Sequence, residues 1–160
     1  MATIDLKFGI PAIELCCSSG AKINPSSFAG HNLIVLFCPL DGDAASAEVS
    51  SYLAHSDEFV GRDAWLLTIA EQCRDLSIDG GSRILTVPDP QRHAWNAFRD
   101  LTRHAEEMDR ESGATFLFTR GGNLHRYWHG SGHVDEVLDE LGTPSFDHLH
   151  QSAAERPVNS

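Results

Sequence analysis

The residues able to do chemistry in this chain are four cysteines, at positions 16, 17, 38 and 73, and nine histidines. A cysteine acts as nucleophile or redox centre only as its thiolate, so its neighbours decide whether it works or merely packs. No two cysteines stand in a C-x-x-C pair, which leaves neither a dithiol redox motif nor half of a zinc ribbon. Adjacent Cys16 and Cys17 would point to opposite faces of a strand, and packing is their first expected role, with a disulfide the lesser alternative. Cys38 ends an apolar run just ahead of Pro39. Thiols of that kind are usually buried, so packing is its first expectation and a redox thiol the second. Cys73 has less context still.

Five of the histidines fall from position 125 onward, and His129-Gly130-Ser131-Gly132-His133 invites a metal reading. Two histidines four apart share a helix face and can bind one metal, but the glycines here specify a loop. Further ligands would have to come from His125, His148 or His150, so no metal site is expected. His125, Tyr127 and His129 alternate along one strand face, as a half-exposed sheet would have them. Asp41 and Asp43 beside a helix start are better explained as caps than as cation ligands. There is no serine hydrolase elbow, Walker loop or G-x-G-x-x-G, so hydrolase and nucleotide chemistry lack support and no cofactor is expected.

These residues must be positioned by a chain of 160 residues, the length of one domain. A hydrophobic share of 41% with 22% charged residues suits a folded soluble protein. The net charge of −11 opposes contact with nucleic acid or anionic lipid. Residues Met1 to Lys7 lack the pattern of an export signal, and Leu33 to Cys38 is too short to cross a bilayer, so a cytoplasmic location is expected.

Periodicity supplies the elements. Pro11 to Leu15 reads as an extended segment turned back by Ser18-Ser19-Gly20 toward Ala21-Lys22-Ile23, an N-terminal hairpin. The unbroken apolar run Leu33 to Cys38 suits a central strand covered on both faces. Asp41-Gly42-Asp43 then offers a turn and an N-cap for a helix from Ala44 to Ala54. Ala64 to Ala70 and Arg83 to Val87 are further strands, the latter closed by Pro88-Asp89-Pro90. Ala94, Phe98, Leu101, Ala105 and Met108 recur at steps of four and three, which predicts one long amphipathic helix from Gln91. Thr115 to Thr119 and Leu124 to His129 flank Arg120-Gly121-Gly122-Asn123 as a hairpin, and Val134, Val137, Leu138 and Leu141 mark a last helix ended by Gly142. The predicted fold class is α/β, a mixed central sheet with helices on both faces over residues 1–142, followed by a polar tail over 143–160.

The order of these elements, read with the local sequence, resembles the thioredoxin fold and more closely the peroxiredoxins of the alkyl hydroperoxide reductase and thiol-specific antioxidant class. Gly9-Ile10-Pro11-Ala12-Ile13-Glu14-Leu15, the Gly20 turn, Ser27-Phe28-Ala29-Gly30 and the strand through Phe37 and Pro39 are similar to the opening of that family. Val87-Pro88-Asp89-Pro90 and Ala114-Thr115-Phe116-Leu117 continue the resemblance, which runs from Phe8 to Leu141. It implies a loop reading Pro, three residues, Thr or Ser, two residues, then the peroxidatic Cys at the first turn of a helix. Here that spacing runs from Pro39 to Ser46, with Asp43 at the hydroxyl position, Ser46 at the thiol position and Gly113 where an Arg is expected. Serine cannot replace the thiol, because an unactivated alcohol does not attack a peroxide oxygen. The resemblance therefore implies a vestigial pocket of Pro39, Asp43, Ser46 and Gly113 with no catalytic residue, serving to bind a protein or small molecule or in a structural role. The alternative is a thiol oxidoreductase acting through Cys38.

Members of that family commonly dimerise, and Trp65, Trp95 and Trp128 offer aromatic surface for it, so a homodimer is expected. Protonating all nine histidines would move the charge from −11 to −2 and remove most of the repulsion between copies. Self-association should rise as pH falls below about 6.5, the reference value of histidine. Light scattering that stays flat from neutral to mildly acidic pH would count against this.

Overall fold

A computed structural model describes residues 9–16, 22–70, 84–89, 91–102 and 105–142. The expected N-terminal hairpin is present as β1 (Leu15–Cys16) antiparallel to β2 (Lys22–Ile23), with its turn outside the described residues. Alternation buries Leu15 and turns Cys16 outward, which corrects the packing role expected for Cys16; Cys17 and Cys73 lie outside the described residues.

The central sheet begins with β3 (Asn32–Phe37), whose residues from Leu33 on are buried on both faces. Its expected end at Cys38 falls one residue earlier. Then come α1 (Gly42–Leu53), α2 (Ser56–Gly61) and β4 (Ala64–Ala70), which lies parallel to β3 because those helices carry the chain back across the sheet. The next strand, β5 (Ile84–Pro88), pairs parallel with β4 and ends on a proline, which an edge strand tolerates because its outward N–H has no ladder partner to lose. After α3 (His93–Arg99), β6 (Ala114–Phe118) runs antiparallel to β3, and β7 (Leu124–His129) antiparallel to β6. The chain closes in α4 (Val134–Leu141), and Gly142 ends it at φ +70°. Strand order is β5-β4-β3-β6-β7, a mixed five-stranded sheet as predicted.

Period-two alternation sends Leu33, Val35 and Phe37 to one face, with Leu67, Ile69, Phe116 and Phe118 beside them and α3 above. Phe37 stands edge-on to Trp95, Phe98 and Phe116, at ring separations of 5.2, 5.6 and 5.8 Å. Such contacts add to the transfer free energy of burying the rings. Ile34, Leu36, Leu66 and Leu117 take the opposite face, covered by Tyr52 of α1, Phe59 of α2 and Val137 and Leu138 of α4. Helices thus cover both faces.

The single long helix expected from Gln91 is not continuous. Its helical part stops at Arg99, where the amides of Leu101 and Thr102 donate to Phe98 and Arg99 in tighter three-residue steps. The Thr102 hydroxyl donates to the same Arg99 carbonyl, 2.9 Å away, competing with helical continuation. Residues 103 and 104 lie outside the described residues, and a short 3-10 turn follows at Ala105–Glu107. Ala94, Phe98 and Met108 are nevertheless all buried, so their periodicity reports a shared core rather than one rod. The aromatic surface expected for dimerisation is also smaller than the residue types suggested. Trp95 packs against Phe37 and Trp128 stacks near His133, leaving only Trp65 of the three half-exposed.

Gly113 begins the approach to β6 at φ +80°, and a Cβ there would stand 2.4 Å from the Phe37 carbonyl oxygen. Both the backbone and the clash exclude a side chain. Gly130 has a similar φ of +85° but open space around it. Gly113→Ala should therefore cost about 3 kcal/mol and Gly130→Ala about 1 kcal/mol. Urea unfolding that finds the two equal would refute this difference.

Candidate functional site

The candidate site is built where β3 leaves the sheet and α1 begins. Asp41 caps α1 as expected: its carboxylate accepts the Ala44 amide at 2.9 Å, and Asp43 adds a second negative charge to the first turn. Ala45, Glu48, Val49 and Tyr52 form the buried stripe of α1, so Asp43 and Ser46, three apart, both project to solvent. Pro39 is buried, and the Leu40 amide fastens the loop by donating to the Glu111 carbonyl at 3.0 Å.

The four residues expected to form a vestigial pocket therefore separate into a backbone pair and a surface pair. Gly113 lies against the Phe37–Pro39 backbone, a Cβ at 113 falling 3.1 Å from the Pro39 nitrogen. An arginine at that position has no room for even its first side-chain carbon. Asp43 and Ser46 stand on the exposed side of α1.

Cys38 follows the even-numbered face of β3 and is buried against Ala45 and Val49 of α1. Its amide donates to the Ile69 carbonyl at 3.0 Å, which continues the β3–β4 ladder by one residue. The thiol is covered by the same helix that exposes Ser46.

Arg110 was not anticipated. Its side chain is only 3% exposed, with the guanidinium 5.6 Å from the Phe37 ring centre and 5.8 Å from that of Trp95. One nitrogen donates to the Cys38 carbonyl and the other terminal nitrogen to the Ile69 carbonyl at 3.3 Å. Lying between Asp109 and Glu111, it reads locally as a surface charge. The available signal was the arginine that the resemblance requires ahead of the Ala-Thr-Phe strand, with Arg110 three residues before Gly113. Glu48 was missed for the same reason. It is 4% exposed, and burial pushes its carboxyl above the ordinary value, only partly opposed by the Gly132 amide and the charge of His133. Desolvation likewise raises the phenol of Tyr52, whose hydroxyl lies 3.4 Å from that of Thr115.

The histidine-rich segment distributes itself among carboxylates. His125 pairs with Glu140 at 2.7 Å, His129 with Asp109 at 3.2 Å and His133 with Glu136 at 2.6 Å. His133 and His125 hold the carboxyls of Glu136 and Glu140 below their usual range. Two hydrogen bonds from Ser112 do most of the same for Asp109. Among the described residues no three ligating side chains converge on a metal position; His148 and His150 lie outside them. A cleft of about 270 Å³ opens elsewhere, beside Leu15, Cys16, Asp89 and His93, and none of Pro39, Asp43, Ser46 and Gly113 lines it. Among the described residues no helix is long and apolar enough to cross a membrane.

Arg110 joins the ends of two adjacent strands with charge-assisted bonds, so Arg110→Ala should lower stability by about 3 kcal/mol. Arg110→Lys should recover little, because a single ammonium does not reproduce the planar fork that spans both carbonyls. Full recovery by lysine in urea titrations would show that charge alone, not the fork, is what the site uses.

No protein-family model and no curated protein matches the chain. Solved structures do. The bacterioferritin comigratory protein of Xanthomonas campestris, described for its alkyl peroxide reduction activity, superposes with a TM-score of 0.67 at 22% identity, covering 84% of this chain and 95% of that one. The mitochondrial 2-Cys peroxiredoxin of Plasmodium falciparum gives 0.63 at 16% identity over 94% and 99% of the two chains. The peroxidoxin BcpB of Mycobacterium tuberculosis gives 0.67 at 15% identity over 83% and 93%. With its central β3, flanking helices and closing β6–β7 hairpin, the chain has the thioredoxin-like α/β fold of its peroxiredoxin neighbours.

Proposed function

We propose that this chain is a redoxin-fold domain without thiol peroxidase chemistry, whose α1 face serves a binding, regulatory or structural role. The observation that carries the proposal is the division at α1: Ser46 and Asp43 face solvent, while the Cys38 thiol lies beneath the helix. Peroxide reduction on the peroxiredoxin plan needs a sulfur that can pass to sulfenic acid and back. A serine hydroxyl has no such cycle, and the carboxylate of Asp43 adds negative charge where a thiolate would need positive potential. The same acidic face, with Asp41 also exposed, suits a protein or small molecule presenting cationic groups and disfavours nucleic acid. A reducing compartment such as the cytoplasm fits Cys16 and Cys38, which are both free thiols. A homodimer remains part of the proposal, with half-buried Trp65 one of the aromatic side chains that water reaches.

One observation favours the alternative of an oxidoreductase using Cys38. The Arg110 guanidinium binds the Cys38 carbonyl and so brings a cation to that residue. Reaction there would require α1, with Ala45 and Val49, to lift from Cys38.

Peroxide consumption in the presence of a thiol reductant separates the two. The unmodified protein and Cys38→Ser should both stay at the uncatalysed rate, and Ser46→Cys should give weak turnover at best. Robust turnover by the unmodified protein that disappears in Cys38→Ser would establish the oxidoreductase instead.

A further inference from the structure

Two carboxylates are buried among the described residues, and they are treated differently. Asp89 has both oxygens satisfied, accepting the amides of Ala94 at 3.1 Å and Trp95 at 3.0 Å, and so caps α3. Glu48, in α1, accepts the Gly132 amide at 2.9 Å through Oε1, but its Oε2 has no hydrogen-bond partner among the described residues. A buried ionised carboxylate with one oxygen unmatched is costly, whereas its neutral form gives up much less on burial.

The groups around it come from four elements. Tyr52 lies one turn along α1 with its hydroxyl toward Thr115 of β6, and neither carries a charge near neutral pH. From the loop after β7 comes Gly132. At the start of α4 stand His133 and Glu136. His133 holds Glu136 Oε1 through Nδ1 at 2.6 Å and the His129 carbonyl of β7 through Nε2 at 3.0 Å. With Glu136 ionised, both partners are acceptors, so both bonds form together only when each ring nitrogen carries a proton. The cationic ring is then the favourable charge for an ionised Glu48, and Glu136 is the unfavourable one.

We propose that Glu48 is a proton-operated latch between α1 and the loop joining β7 to α4, closed when its carboxyl is protonated and loosened when it ionises. Protonated, it still accepts the Gly132 amide and leaves no charge in the seam. Ionised, it draws water toward Oε2, and α1 separates more readily from the loop. The direction follows from the raised carboxyl: an acid whose folded value exceeds its ordinary 4.5 contributes its full stability below that pH and loses it as pH rises through the folded value. None of this depends on what α1 binds.

The test uses the whole chain, following the Glu48 side-chain carboxyl by carbon-13 NMR and the exchange protection of the Gly132, Val49 and Tyr52 amides, corrected for intrinsic rates, from pH 4 to pH 8.5. The carboxyl should titrate above its ordinary range, and Gly132 protection should fall at least tenfold through the same interval. Glu48→Gln, which keeps the acceptor and cannot ionise, should hold that protection level across the range. A Glu48 carboxyl that titrates at its ordinary value overturns the proposal without recourse to any variant. So does a fall in protection that persists unchanged in folded Glu48→Gln.

Discussion

The close approach of Gly113 to the backbone of Phe37–Pro39 is the constraint on which the candidate site depends. It lets β6 begin directly against the end of β3, and it brings Arg110 within reach of the Cys38 and Ile69 carbonyls, where β3 and β4 both end. The Leu40 amide is fastened to Glu111 by the same short segment. A loop that would otherwise be free to vary is thereby fixed from beneath, and α1 starts from a rigid floor.

What stands on that floor is a matter of residue type alone. The helix start is well made, with Asp41 as cap and Asp43 matched to the helix dipole, yet neither residue is a group that performs redox chemistry. The fold of the peroxiredoxins is reached here by packing and pairing that do not involve Asp43 or Ser46. Shared architecture does not by itself decide the chemistry, because a site is a few side chains set on a scaffold whose stability comes from elsewhere.

The two faces of the sheet differ in kind. On the α3 side, aromatic rings gather around Phe37, and Arg110, the one buried cation among the described residues, is held among them by backbone carbonyls. On the α1 and α4 side, the apolar layer is interrupted by Glu48, Tyr52 and Thr115, and a carboxyl is left with half of its hydrogen-bonding capacity unused. A hydrophobic face can adjust by small shifts, but a buried polar group gains or loses in steps as its protonation changes. The helix that presents Asp43 and Ser46 is therefore also the one seated on the more responsive face.

Local sequence was sufficient wherever the controlling interaction is itself local. The apolar runs of β3 and β4, the Asp41 cap and the Gly142 stop were all legible, because each depends on a residue and its near neighbours. The departures are contacts between residues distant in the chain. Arg110 and Glu48 read as surface charges until β3, β4 and the loop after β7 enclose them; Trp95 and Trp128 read as exposed aromatics until Phe37 and His133 cover them. The break after Arg99 was hidden because its residues keep helical spacing toward one core while the chain between them does not stay helical. For the candidate site, sequence determined which side chains were present, and the tertiary structure decided which of them water reaches. Burial belongs to the assembled set of neighbours, and periodicity along the chain contains no record of what will be packed against a charge.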